Sequence, residues 1–112
     1  EAMIIPDTYH MFLAGTGPNA LGRLRGDFIA IFQFADAGKE VEPILHKGVD
    51  SQRVLPGDGK IDLKAYLTNL KKTGFDGCVS LELYNPEYRK REPVAFLEEA
   101  LRKTVKVVSS VG

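Results

Sequence analysis

The sequence contains no tryptophan and a single cysteine, Cys78, which excludes an internal disulfide and leaves packing and hydrogen bonds to hold the fold. A thiol with no partner suits a reducing compartment, so the expected location is the cytoplasm. An excess of one charge is also lacking, because 15 Lys and Arg balance 15 Asp and Glu for a formal net charge of zero. That balance argues against nucleic acid as a partner, since phosphate recognition needs a basic surface. No apolar run approaches the roughly 20 residues of a membrane-spanning helix, so no membrane partner is expected. The opening Glu1-Ala2-Met3-Ile4-Ile5-Pro6 has neither the basic stretch nor the long apolar core of a secretion signal. Its acidic first residue followed at once by apolar ones predicts further chain upstream.

What is present is apolar material for one modest core, 44% of 112 residues, and a single domain over 1–112 is the expectation. Three runs rich in β-formers, Ala2 to Pro6, Asp27 to Ala35 and Cys78 to Tyr84, predict strands. The second is apolar almost throughout, as in a parallel strand covered on both faces. After Asp62, Leu63, Tyr66, Leu67 and Leu70 fall at i, i+3, i+4 and i+7 and predict an amphipathic helix. Asp62 suits its N-cap, Lys71 and Lys72 its last turn, and Gly74 the left-handed position after it. A second helix opens at Pro93 and runs through Val94, Leu97, Leu101 and Val105 to Val108. A shorter one, interrupted by Gly22, is predicted over Asn19 to Arg25. Residues 38–60 are too many for a bare connector and predict a functional loop. The order of elements predicts an α/β chain with parallel strands and covering helices. Three such strands cannot close a barrel, and their edges predict either a missing N-terminal part or self-association.

Polar residues recur at the ends of these apolar strands: Asp7 and His10 after the first, Gln33 and Asp36 at the end of the second, Glu82 within the third. A carboxylate inside an apolar strand is costly to bury unless paired, hydrogen-bonded or bound to metal, so Glu82 requires a partner. Each residue alone also has a structural reading: helix cap, packing histidine, or backbone-bonding amide. Their repetition on three successive strands favours a shared site.

The segments Asp7-Thr8-Tyr9-His10, Phe32 to Ala37 (FQFADA), Arg53 to Gly59 (RVLPGDG), Gly74 to Gly77 (GFDG) and Ser80 to Asn85 (SLELYN) resemble, in order, the xylose isomerase-like sugar isomerases and epimerases. The resemblance implies the C-terminal three βα units of a (β/α)8 TIM barrel, in which the fifth to eighth strands each supply one metal ligand. It implies Asp7, Gln33 and Glu82 as the ligands of the last three; the fifth-strand Glu has no counterpart. His10 is implied to bind substrate oxygens and act with Glu82 in catalysis, and Arg53 to face the substrate. Two carboxylates and an amide suit a hard divalent ion, Mn²⁺ or Mg²⁺ first, with Co²⁺ or Zn²⁺ as alternatives. The implied reaction is isomerisation or epimerisation of a sugar or polyol by proton transfer through a metal-stabilised enediolate.

Gln33 in place of the histidine usual in sugar isomerases, with Ala35-Asp36-Ala37 after it, also resembles bacterial 3-dehydroshikimate dehydratases. A non-catalytic, self-associating βα module is a further alternative. Ser51-Gln52-Arg53 stands where the related apurinic endonucleases carry an Asp-x-His pair, which disfavours a multi-zinc nuclease. Gly57 and Gly59 are read as an ordinary turn, with phosphate held on their amides as the alternative. Cys78 is read as a packing residue, Arg89-Lys90-Arg91 as a solvated stretch, and His46 has no assigned role.

Overall fold

Parallel pairing organises the chain in a computed structural model that describes residues 2–43 and 50–112; His46 lies outside them. Strand β1 (Phe32–Phe34) pairs in parallel with β4 (Val79–Leu81), matching Phe32 to Val79, Gln33 to Ser80 and Phe34 to Leu81. On the other side of β1 runs the segment that ends at Asp7, joined by parallel bridges from Ile4 to Ile29 and from Asp7 to Gln33. Three neighbouring parallel segments therefore carry the polar positions singled out above.

The regular strands are shorter than the apolar runs. Residues Ala2 to Pro6 form no continuous strand: the bridges at Ile4 and Asp7 are isolated, and Pro6 between them has no N–H to donate. The run from Asp27 opens in a 3₁₀ turn, Gly26–Phe28, and its ladder with β4 begins only at Phe32, opposite the start of β4. The two ends of the predicted loop over 38–60 are joined by pairing the sequence did not indicate: β2 (Asp36–Ala37), just before it, pairs antiparallel with β3 (Arg53–Val54), which follows a 3₁₀ turn at Asp50–Gln52.

Four helices complete the described residues. Helix α1 (Thr8–Leu13) was not predicted; Asp7 caps it by accepting from the Tyr9 and His10 amides. The predicted helix over Asn19 to Arg25 is a single turn, α2 (Pro18–Leu21), which stops at Gly22. Helix α3 (Leu63–Lys72) follows its prediction: the Asp62 carboxylate accepts from the Ala65 amide, the Leu63, Tyr66, Leu67 and Leu70 side chains are buried, and Gly74 takes φ +77°. Helix α4 (Pro93–Ser109) has Pro93 in its first turn, and the Glu92 carboxylate caps it by accepting from the Val94 and Ala95 amides, bonds that hold its pKa below the ordinary value.

The core lies between β1 and the helices, with Phe32 and Phe34 fully buried against α1 and α3 residues such as Tyr9, Leu67 and Leu70. Leu97 and Leu101 of α4 are 64% and 66% exposed, and Met3, Ile5 and Ile31 are exposed as well. Cys78 is exposed, not packed, because it enters β4, which has no further strand on its outer side among the described residues. No helix among the described residues is long and apolar enough to cross a membrane.

Thr8 ties α1 to the strand beside it. Its hydroxyl donates to the Ala35 carbonyl at 2.7 Å and accepts from the Ala35 amide at 3.0 Å, all buried. Thr8→Val keeps the shape and leaves both backbone groups unpaired, so a loss of about 1–3 kcal/mol is expected. The measurement is a fall in the urea midpoint at unchanged slope.

Candidate functional site

Register decides which side chains meet. Residues paired across neighbouring strands point to the same face, and that face alternates along each strand. With Phe32 and Phe34 buried on the helix side, Gln33 points to the other face, together with its partners Asp7 and Ser80. Glu82 lies two residues beyond Ser80 and shares that face, anchored by its amide on the Phe34 carbonyl at 3.1 Å. The three expected ligands thus come from adjacent segments at one level.

With its nitrogen turned inward, the Gln33 amide donates to Asp7 Oδ2 and Glu82 Oε2, 3.2 Å from each. With its oxygen turned inward, that oxygen would face a carboxylate oxygen on either side at the same spacing, an arrangement that a shared cation would relieve. Ligand oxygens at about 2.1 Å from an octahedral ion lie about 3 Å from each other, so the spacing fits a small divalent ion. No three His, Cys, Asp or Glu side chains gather in metal-binding fashion among the described residues. The third member of this cluster is an amide.

Arg53 is the residue on which the cluster turns. It is 2% exposed, and its Nη1 donates to Asp7 Oδ1 at 3.2 Å and Oδ2 at 3.0 Å. Nη2 stands 3.6 Å from Glu82 Oε2, 3.6 Å from Asp50 Oδ1 and 3.1 Å from His10 Nε2. A guanidinium only donates, so Nε2 is the acceptor in this contact. The guanidinium also lies 4.7 Å above the Tyr9 ring, a cation–π contact. Burial pushes the Tyr9 phenol above its ordinary pKa, against the lowering effect of the Arg53 charge. Arg53 is held from behind as well: the Asn85 amide donates to its carbonyl at 2.9 Å, and the neighbouring Leu55 amide donates to the Tyr88 hydroxyl at 3.0 Å.

Of the residues expected in the site, Asp7, His10, Gln33, Arg53 and Glu82 come together. Asp36 does not join them. It is 1% exposed and accepts from the amides of Ala37, Ile61, Gly57 and Gly59 at 2.9–3.0 Å, a structural clamp on the PGDG turn. The amides of Gly57 and Gly59 are thereby engaged by an internal carboxylate, which removes the basis for phosphate binding there. Sequence reasoning missed Asp50 and Asn85. Neither lies inside an apolar strand, so the signal that marked the others does not mark them.

This geometry defines a βα-barrel site of the kind in which strand-end polar residues converge on one face. The chain belongs to the family of xylose isomerase-like TIM barrels, whose family model matches residues 2–103. It is 38% identical over 106 residues to the inosose isomerase of Bacillus subtilis strain 168, covering 95% of this chain and 37% of that protein. The 3-dehydroshikimate dehydratase of Pseudomonas putida is 33% identical over 90 residues, 77% of this chain and 13% of that one. Among solved structures, the IolI protein with a bound zinc atom superposes with a TM-score of 0.88 at 35% identity, over 98% of this chain and 38% of that one. The chain therefore spans a little over a third of the inosose isomerase it matches, 37%.

Proposed function

We propose that the chain is the C-terminal part, the last three βα units, of a divalent-metal-dependent isomerase or epimerase acting on a sugar or polyol. The observation that carries this reading is the convergence of Asp7, Gln33 and Glu82 from three adjacent parallel segments at ion-binding spacing. The similarity to inosose isomerases and to a zinc-containing neighbour supports it. The exposed apolar residues of α4 and of residues 3–5, on the two edges of the parallel segments, would then pack against the preceding units of the same barrel. A second copy of this chain is the alternative occupant.

The residues fit different roles. Asp7, 4% exposed and engaged by its cap and Arg53, is a fixed ligand. Glu82, with 47% of its side chain exposed, is the carboxylate free to exchange a proton with substrate as well as to hold the ion. Gln33 would turn its oxygen inward as the third donor. The exposed His10 would bind substrate oxygens beside the cluster. Direct contact of Arg53 with substrate would require its guanidinium to leave Asp7. A divalent ion held by Asp7, Gln33 and Glu82 would supply polarisation of a carbonyl and its neighbouring hydroxyl, which would make the adjacent carbon-bound proton removable. A dehydratase of the 3-dehydroshikimate type is the second reading, supported by the Pseudomonas putida relative and by Gln33 with its Ala35-Asp36-Ala37 continuation.

Mn²⁺ is expected to raise the melting temperature of the intact protein, since an ion at one hundred times its Kd stabilises by about 2.7 kcal/mol. Glu82→Ala should abolish most of that rise. An unchanged melting temperature in the wild type, or an equal rise in the variant, rules the metal site out.

A further inference from the structure

One buried acceptor in the site is unused. The Asp50 side chain is about half exposed, but its Oδ1 is turned inward and accepts no hydrogen bond among the described residues. It stands 3.6 Å from Arg53 Nη2, too far for a hydrogen bond and close enough for an ion pair. His10 Nε2 lies 3.8 Å from the same oxygen but is already accepting from Arg53, so it offers no proton there. A sheltered carboxylate oxygen without a donor is unfavourable and calls for an explanation.

The explanation lies in competition for Asp7. Its Oδ1 receives the Tyr9 and His10 amides at 2.8 and 3.1 Å, which leaves Oδ2 as the oxygen open to an ion. The shortest Arg53 bond in the site, at 3.0 Å, falls on that same Oδ2. A divalent ion and a guanidinium on the same carboxylate oxygen repel each other, which favours a second seat for the guanidinium. Arg53 cannot leave for solvent, because it is 2% exposed and stacked on Tyr9.

We propose that Asp50 is a positioning residue of this site: it receives the Arg53 guanidinium when a divalent ion takes Asp7 Oδ2. The inference rests on the metal-site reading above. Arg53 neutralises the Asp7 and Glu82 carboxylates and keeps them converged. A shift of under about 1 Å brings Nη2 from its ion-pair distance to the 2.7–2.9 Å of a charge-assisted bond with Asp50. Arg53 thus holds the carboxylates together without blocking an ion, and Asp50 makes the difference.

The test is Mn²⁺ affinity in the intact protein, by calorimetry or by the spin resonance of free Mn²⁺. Asp50→Asn is expected to weaken Mn²⁺ binding roughly tenfold, since the guanidinium loses its second seat, while the melting temperature of the metal-free protein stays put. Arg53→Gln is expected to tighten binding, and in its background Asp50→Asn should have no further effect. Equal weakening by Asp50→Asn with and without Arg53 would mean that Asp50 acts only as a distant negative charge, and overturns the proposal. So does unchanged affinity in Asp50→Asn alone, a result available on a folded protein because Asp50 is half exposed, even where Arg53→Gln does not fold. Mn²⁺ binding that is lost in Glu82→Ala but indifferent to Asp50→Asn defeats this inference alone. No Mn²⁺ binding by the wild type defeats the metal site and this inference together.

Discussion

Asp36→Ala is expected to destabilise the protein by about 3–5 kcal/mol, the larger part from two buried backbone donors left without an acceptor at 1–3 kcal/mol each. The Asp36 carboxylate accepts from four amides, and those of Ala37 and Ile61 are buried where water cannot replace it. Those of Gly57 and Gly59 are partly exposed and recover some of the loss through water. The clamp also explains why position 59 is glycine: a Cβ there would lie 2.1 Å from the Ala37 carbonyl oxygen and 2.4 Å from Asp36 Oδ1. Asp36→Asn should fall between wild type and alanine, since the amide restores one acceptor and points an N–H₂ at two donors. Urea denaturation of the three proteins measures the order. Because β3 and Arg53 precede this turn directly, the alanine variant should also lose Mn²⁺-dependent stabilisation.

Asp7→Ala is expected to cost a comparable amount for a different reason. Removing one partner of a buried ion pair leaves the other charge uncompensated, at about 3–5 kcal/mol, and Arg53 at 2% exposure has no access to bulk water. Loss of the α1 cap adds about 1 kcal/mol. Asp7→Asn separates the two contributions, because its side-chain oxygen can still accept from the Tyr9 and His10 amides while the charge is gone. Asparagine should therefore keep the helix cap, recover about 1 kcal/mol relative to alanine, and still fail to bind Mn²⁺ tightly. If asparagine proves as stable as wild type, the Asp7–Arg53 pair is not the anchor described here, and thermal denaturation with and without Mn²⁺ shows which holds.

The candidate site was legible in part. Asp7, Gln33 and Glu82 stood out because a charged or amide side chain in an apolar strand must be compensated, and that cost is visible in one dimension. Asp36 stood out for the same reason and proved to be compensated by backbone amides from a turn more than twenty residues on, a partnership that no spacing rule marks. Asp50 was invisible because it sits in a polar loop, where a carboxylate costs nothing until tertiary folding turns one oxygen inward. Cys78 and the apolar face of α4 show the reverse case: a pattern that demands burial, on a flank this chain leaves open.

By itself the sequence determined the periodicities: the stripe and caps of α3, the Pro93 start of α4, the apolar strand runs, and the recurrence of polar residues at their ends. These are local, set by 3.6- and 2-residue repeats and by the bonding of each backbone end. Only the tertiary structure decided what those polar residues do. Register between strands put Gln33 beside Asp7 and Glu82, and the return of residues 50–54 placed a buried guanidinium among them. Long-range pairing is a property of the assembled sheet, which is why one carboxylate became a clamp, another an ion partner, and a third an acceptor still waiting for its donor.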